Sequence, residues 1–218
     1  MKKMIFKIKG KFTLFFSSTL LILTLYPFFL NSNIGIILLH VFITSVLIAG
    51  IELVSYHKKV LIFGTLLGIL SIILTWANFF QGNKLMAILW SLCLLVFYIF
   101  IAICILILVA QSKRVTPDTI LGAISGYLII PIAWAMLFYC LELLQPKSFN
   151  LPHGVHPNPD LFIYFSQTTI ASVGFGEITP ATPIARSLTA LLGMTGQLYL
   201  AVLVAILIGI YLVQFNSK

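Results

Sequence analysis

Apolar residues run almost unbroken along this chain, and polar ones collect in short knots between the runs: "NSN", "YHKK", "QGNK" and "SKRVTPD". A helix needs roughly 20 apolar residues to cross the hydrocarbon core of a bilayer. Six runs reach about that length, at residues 13–31, 33–54, 60–80, 85–110, 117–145 and 184–213. Between the fifth and sixth the grammar changes to a polar loop from Gln145, then "NPDLFIYFSQTTI", then "ASVGFGEITP". Asn158 suits a helix N-cap, Pro159 the first helical position, and Asp160 the positive end of a helix dipole. A helix is therefore predicted from 159 to about 171, too short to cross the membrane. It either dips half-way in and leaves through the glycine segment, or lies flat in the interface.

Composition fixes the setting. A chain of 218 residues that is 61% hydrophobic and 8% charged, with mean hydropathy +1.12, cannot hide that surface in a soluble domain. The predicted class is an all-α integral membrane protein of six transmembrane helices. Ten basic residues (Lys2, Lys3, Lys7, Lys9, Lys11, Lys58, Lys59, Lys113, Arg114, Lys218) fall on one side, and three (Lys84, Lys147, Arg186) on the other. By the positive-inside rule both termini are cytoplasmic and the glycine segment lies on the outer side. The net charge of +8 thus reports topology, and nucleic-acid binding is not expected. The basic, apolar N-terminus lacks a small-residue cleavage site, so an uncleaved first helix is preferred to a signal peptide. Cys93, Cys104 and Cys140 fall inside predicted spans, where a thiol behaves as a small apolar group, so no disulfide or metal is assigned. The knot "SKRVTPD" divides a four-helix block, residues 1–116, from residues 117–218. No soluble ligand-binding domain is expected in cis.

Glycine tolerates left-handed backbone cheaply, and alternating left- and right-handed residues turns successive carbonyls to one side. Gly174 and Gly176, one residue apart, are placed to aim the carbonyls of Ser172, Val173, Gly174 and Phe175 at a common axis. Such a column, with a hydroxyl at its base, suits a dehydrated monovalent cation. One chain supplies one column, so a symmetric homo-oligomer is implied.

"TTIASVGFGE" resembles the signature of the potassium channel pore family, commonly TxTTVGYGD, whose carbonyls replace the ion's hydration shell. The resemblance extends through Pro180 and the last apolar run, and covers about residues 117–213. "GQLYLAVLVA" is similar in wording to small bacterial members, which implies a bacterial inner membrane. It implies a homotetramer with a re-entrant pore helix and a selectivity filter between helices five and six. Ser172 then takes the place of the filter threonine, and Val173, Gly174, Phe175 and Gly176 complete the potassium path. Thr169 matches the threonine of the pore helix, and Gly196, twenty residues after Gly176, matches a hinge glycine. Phe175 replaces the usual tyrosine and loses the phenol that would tie the filter to neighbouring aromatics, for which Tyr164 and Phe165 are candidates. Glu177 replaces the usual aspartate.

Other residues have two readings each. Glu142 either bonds backbone behind the filter or faces water. Gln197 faces protein or a water-filled cavity, since an unpaired amide in hydrocarbon is costly. Gly122 and Gly126 form a GxxxG that suits close packing against helix six. Ala205, Ile208 and Leu212 form either an apolar constriction at the cytoplasmic mouth or a lipid-facing stripe. His153 and His156 either sense outside pH or bind a metal, or are ordinary exposed loop histidines, and the second reading is preferred. Glu52 and His57 are spaced for a polar contact. A charged voltage sensor is not expected, because residues 85–110 contain no Arg or Lys. The expectation is a passive, potassium-selective homotetramer in the cell membrane, needing no cofactor beyond the transported ion. A weakly selective monovalent cation channel and a non-conducting scaffold with a degenerate pore fold are the alternatives. No constellation for enzymatic chemistry is visible.

Overall fold

The computed structural model describes residues 11–29, 33–54, 58–112 and 114–216. Among these described residues seven helices follow one another: α1 Lys11–Phe29, α2 Asn33–Leu53, α3 Lys58–Gln81, α4 Lys84–Ala110, α5 Pro117–Leu144, α6 Pro159–Ile170 and α7 Pro183–Asn216. Two short strands, β1 Phe149–Asn150 and β2 Thr179–Pro180, pair antiparallel on either side of α6. By length and composition α3, α4, α5 and α7 suffice to cross a membrane.

Local signals start the helices where the sequence places them. The Thr116 hydroxyl accepts from Thr119 N to cap α5, with Pro117 following it, and Asn83 caps α4 in the same way. Small residues decide which faces meet. Gly64 and Gly68 on α3 lie against side chains from α2 and α4. Gly50 on α2 lies against Phe97 and Ile101 of α4. Polar side chains in these spans are satisfied within the protein: Thr75 Oγ1 donates to Ser71 O (2.7 Å) and accepts from Trp90 Nε1 (3.0 Å).

α5 organises the rest. It runs along α4 and also packs against α1, α6 and α7. Phe12 and Phe15 of α1, Phe97 and Ile101 of α4, and Ile129 and Phe138 of α5 share one buried cluster. The two sequence blocks therefore have a continuous core. α7 differs from the others: only 11% of its apolar window is buried. A long apolar helix left this bare needs lipid or another copy of the chain to cover it.

Candidate functional site

The loop after α5 is held by a buried carboxylate. Glu142 accepts from the backbone N–H of Lys147 (2.8 Å) and of Phe149 (3.0 Å). Lys147 sits at φ 68°, a conformation costing an L-residue roughly 1–2 kcal/mol. Of its two readings, Glu142 therefore bonds backbone, but its partners are in the turn after α5 rather than in the glycine segment. That turn delivers Phe149 into an aromatic cluster with Phe138, Phe162 and Phe165, at centroid distances of 5.3, 5.1 and 5.5 Å.

Asn158 caps α6 through Oδ1, which accepts from Leu161 N at 2.9 Å. Beside it, burial pushes the Asp160 carboxyl up to about 7. The two sides of α6 then part company. Phe162, Phe165 and Ser166 are buried, Phe165 standing 5.5 Å from Phe138 of α5. Tyr164 turns outward and stacks on Phe175, centroids 6.4 Å apart and rings within 2° of parallel. The Glu177 carboxylate, chiefly through hydrogen bonding, with smaller contributions from burial and from the carboxylate's charge, raises the phenol pKa. So of the two aromatic candidates, Tyr164 meets the glycine segment and Phe165 belongs to the cluster behind it. The phenol missing from Phe175 is present one ring away.

At the end of α6 the chain reverses tightly. Ser172 N donates to Thr169 O (3.0 Å), and Val173 N and Gly174 N both donate to Thr168 O (2.9 and 3.2 Å). The Thr169 hydroxyl donates back to Phe165 O at 2.7 Å. φ is positive at Ser172 (58°), Gly174 (53°) and Gly176 (92°), and not at Val173 or Phe175. This strict alternation puts N–H groups on one side and carbonyls on the other, and the first N–H groups point back to α6. Residues 171–177 are all exposed, with Phe175 at 70%.

Below this segment lies α7. Gly196 is buried where a Cβ would overlap the Ile170 side chain and come within 3.1 Å of Ile170 O. α7 runs unbroken through it, so the glycine's visible function is close approach. The next residue, Gln197, is exposed, and its Nε2 donates to Ser172 Oγ at 3.2 Å. Tyr127 of α5 donates to Ile170 O (3.4 Å), and Tyr199 of α7 donates to Ala123 O (2.8 Å). Tyr199 covers Gly126, whereas Gly122 faces Phe12 of α1. The GxxxG expectation is thus corrected by half: each glycine admits an aromatic ring, and they come from different helices. Ala205, Ile208 and Leu212 are exposed on α7. His153 and His156 are exposed in the loop after α5, and among the described residues no three His, Cys, Asp or Glu groups gather. His57, proposed as a partner of Glu52, lies outside the described residues, as do Lys2, Lys3, Lys7, Lys9, Lys113 and Lys218.

Three elements of the site were not read from the sequence. The Thr168 carbonyl is a backbone group with no side-chain signature. The left-handed Ser172 is one, although counting back by two from Gly176 and Gly174 would have found it. The Gln197 contact needs the register of α7, which the glycine before it supplies.

Residues 156–213 match the family model described as an ion channel, a stretch that takes in α6, the glycine segment and most of α7. This part of the chain is similar to an ion-channel domain. With four helices suited to crossing a membrane, the protein is a multi-pass membrane protein carrying it. No curated protein and no solved structure matches the chain.

Proposed function

We propose that four copies of this chain surround one axis and form a passive, potassium-selective channel. Each copy contributes six transmembrane helices, a re-entrant pore helix α6 and the filter Ser172, Val173, Gly174, Phe175 and Gly176. Potassium sits at the carbonyls of Ser172, Val173, Gly174 and Phe175. The observation that carries this reading is the alternation of φ at 172, 174 and 176, which aligns the carbonyls that a dehydrated cation needs. The exposure of 171–177 supports it, because irregular backbone at membrane depth must line a cavity or be covered by protein. α6 would also aim its negative C-terminal end at the axis, favouring a cation.

Glu142 and the Tyr164–Glu177 bond brace the filter from outside. α1 to α4, whose fourth helix contains only the charge of Lys84 at its start, serve as a brace without a charged voltage sensor. In a cell membrane, with both termini cytoplasmic, the outer loop would face outside. Gly196 stands where a hinge would be, with Ala205, Ile208 and Leu212 as the apolar constriction.

Bi-ionic reversal potentials on purified protein in planar bilayers test the reading. A reversal potential near the potassium equilibrium value is expected. Equal potassium and sodium permeability would replace it with the weakly selective reading, to which Phe175 and Glu177 point. Absence of flux would leave a non-conducting membrane scaffold.

A further inference from the structure

Gln197 is the polar residue of the pore-facing stripe that no part of the proposed function uses. It lies about 20 Å along α7 from Pro183 at the usual helical rise, near the middle of a helix of 34 residues. There an exposed carboxamide is costly against lipid. It has one partner of chemical interest, the Ser172 hydroxyl at 3.2 Å.

That contact also sets the register of α7. At 100° per residue, Ala201, Val204, Ile208 and Leu212 fall within about 60° of Gln197, and all four are exposed. A stripe that begins under the base of the glycine segment and continues as small and apolar side chains faces the same space as that base.

We infer that Gln197 is a residue of the ion path: its amide N–H orients the Ser172 hydroxyl, and its amide oxygen accepts a cation's water or the cation itself. This inference rests on the channel reading above. A hydroxyl has one O–H and two lone pairs. With one lone pair engaged by Gln197 Nε2, the other is aimed, and the innermost oxygen is held in place before an ion arrives. The carboxamide oxygen is left unspent. It is a neutral oxygen ligand of the same kind as a backbone carbonyl, suited to a monovalent ion that is shedding water. Four copies would make a collar of such oxygens beneath the filter, where an ion from the cytoplasm first loses its shell.

Barium, a divalent ion of nearly potassium's size, probes the innermost site when applied from the cytoplasmic side. The experiment compares wild type, Gln197→Leu and Gln197→Glu in bilayers, together with potassium-dependent thermal melting of each purified tetramer. In the ion path, Gln197→Leu weakens internal barium block about tenfold and shrinks the stabilisation by potassium, while Gln197→Glu strengthens block about tenfold. In a Ser172→Ala background, Gln197→Leu adds less than twofold. The inference falls if both variants are blocked within twofold of wild type, or if both shift block in the same direction. Should Gln197→Leu fail to assemble, Gln197→Glu still decides by the sign of its effect. A wild type that shows neither potassium current nor stabilisation by potassium removes the channel reading itself, and the collar with it.

Discussion

Single residues in this site work through backbone geometry and clearance more than through charge. Gly174 at φ 53° has open space around it, so Gly174→Ala meets no clash and pays only the roughly 1–2 kcal/mol of a left-handed alanine. Repeated in four copies, that cost is expected to abolish barium-sensitive potassium flux while the protein still assembles, checked by tracer uptake and size exclusion. Gly196→Ala is the opposite case. Its Cβ meets Ile170, an overpacking of about 1–3 kcal/mol, so the melting temperature should fall. Combined with Ile170→Ala the two losses should be less than additive, whereas a pure hinge effect would show no coupling. Asp160 predicts a pH dependence. Its carboxyl rises from 3.8 to about 7 on folding because it is buried. Between those values the folded protein holds a proton that the unfolded chain has released, so stability falls as pH rises through the window. Melting should be higher near pH 5 than near pH 7.5, and Asp160→Asn should flatten the difference.

Among the elements, the loop after α5 depends on one carboxylate. Glu142→Ala leaves the N–H groups of Lys147 and Phe149 without their buried acceptor, a cost of about 1–3 kcal/mol. Release of that turn should make Lys147 susceptible to trypsin, and faster cleavage on a gel is the check. The helices themselves were legible in advance, because a bilayer allows backbone groups few other ways to be satisfied: α4 spans Lys84–Ala110 and α5 Pro117–Leu144, against the expected 85–110 and 117–145. The short helix was equally clear from Asn158 and Pro159. What could not be read was direction around an axis. Tyr164 and Phe165 are adjacent aromatics of one helix, 100° apart, and nothing in "YF" says which ring meets Phe175. Gly122 and Gly126 share a face, yet one admits Phe12 and the other Tyr199, a division set by where α1 and α7 end up. The glycines of "GFG" were readable because their residue type is their conformational function. Ser172 carries no such signal in its residue type; its left-handed φ follows only from the alternation that the two glycines set.

For the molecule as a whole, the bare α7 and the buried α5 give different expectations for assembly and for folding. In the fourfold arrangement proposed above, other copies of the chain share with lipid the cover of α7, whose apolar window is 11% buried within one chain. Cross-linking in native membranes is expected to end at a four-chain band, and a ladder stopping at two would contradict the fourfold arrangement. The contact between α1 and α5 works within one chain. Thr13 Oγ1 donates to Asp118 at 3.3 Å, across 105 residues of sequence, and Phe12 fills the space over Gly122. During synthesis at about 5–20 residues per second, α1 is therefore made roughly 5 to 20 s before the helix it packs against. Through that interval Phe12 and Phe15 have no α5 to cover them, and that face of α1 stays open until α5 is made. A chaperone or lipid that shields aromatic side chains at that stage would act on the yield of the protein, before any ion is bound.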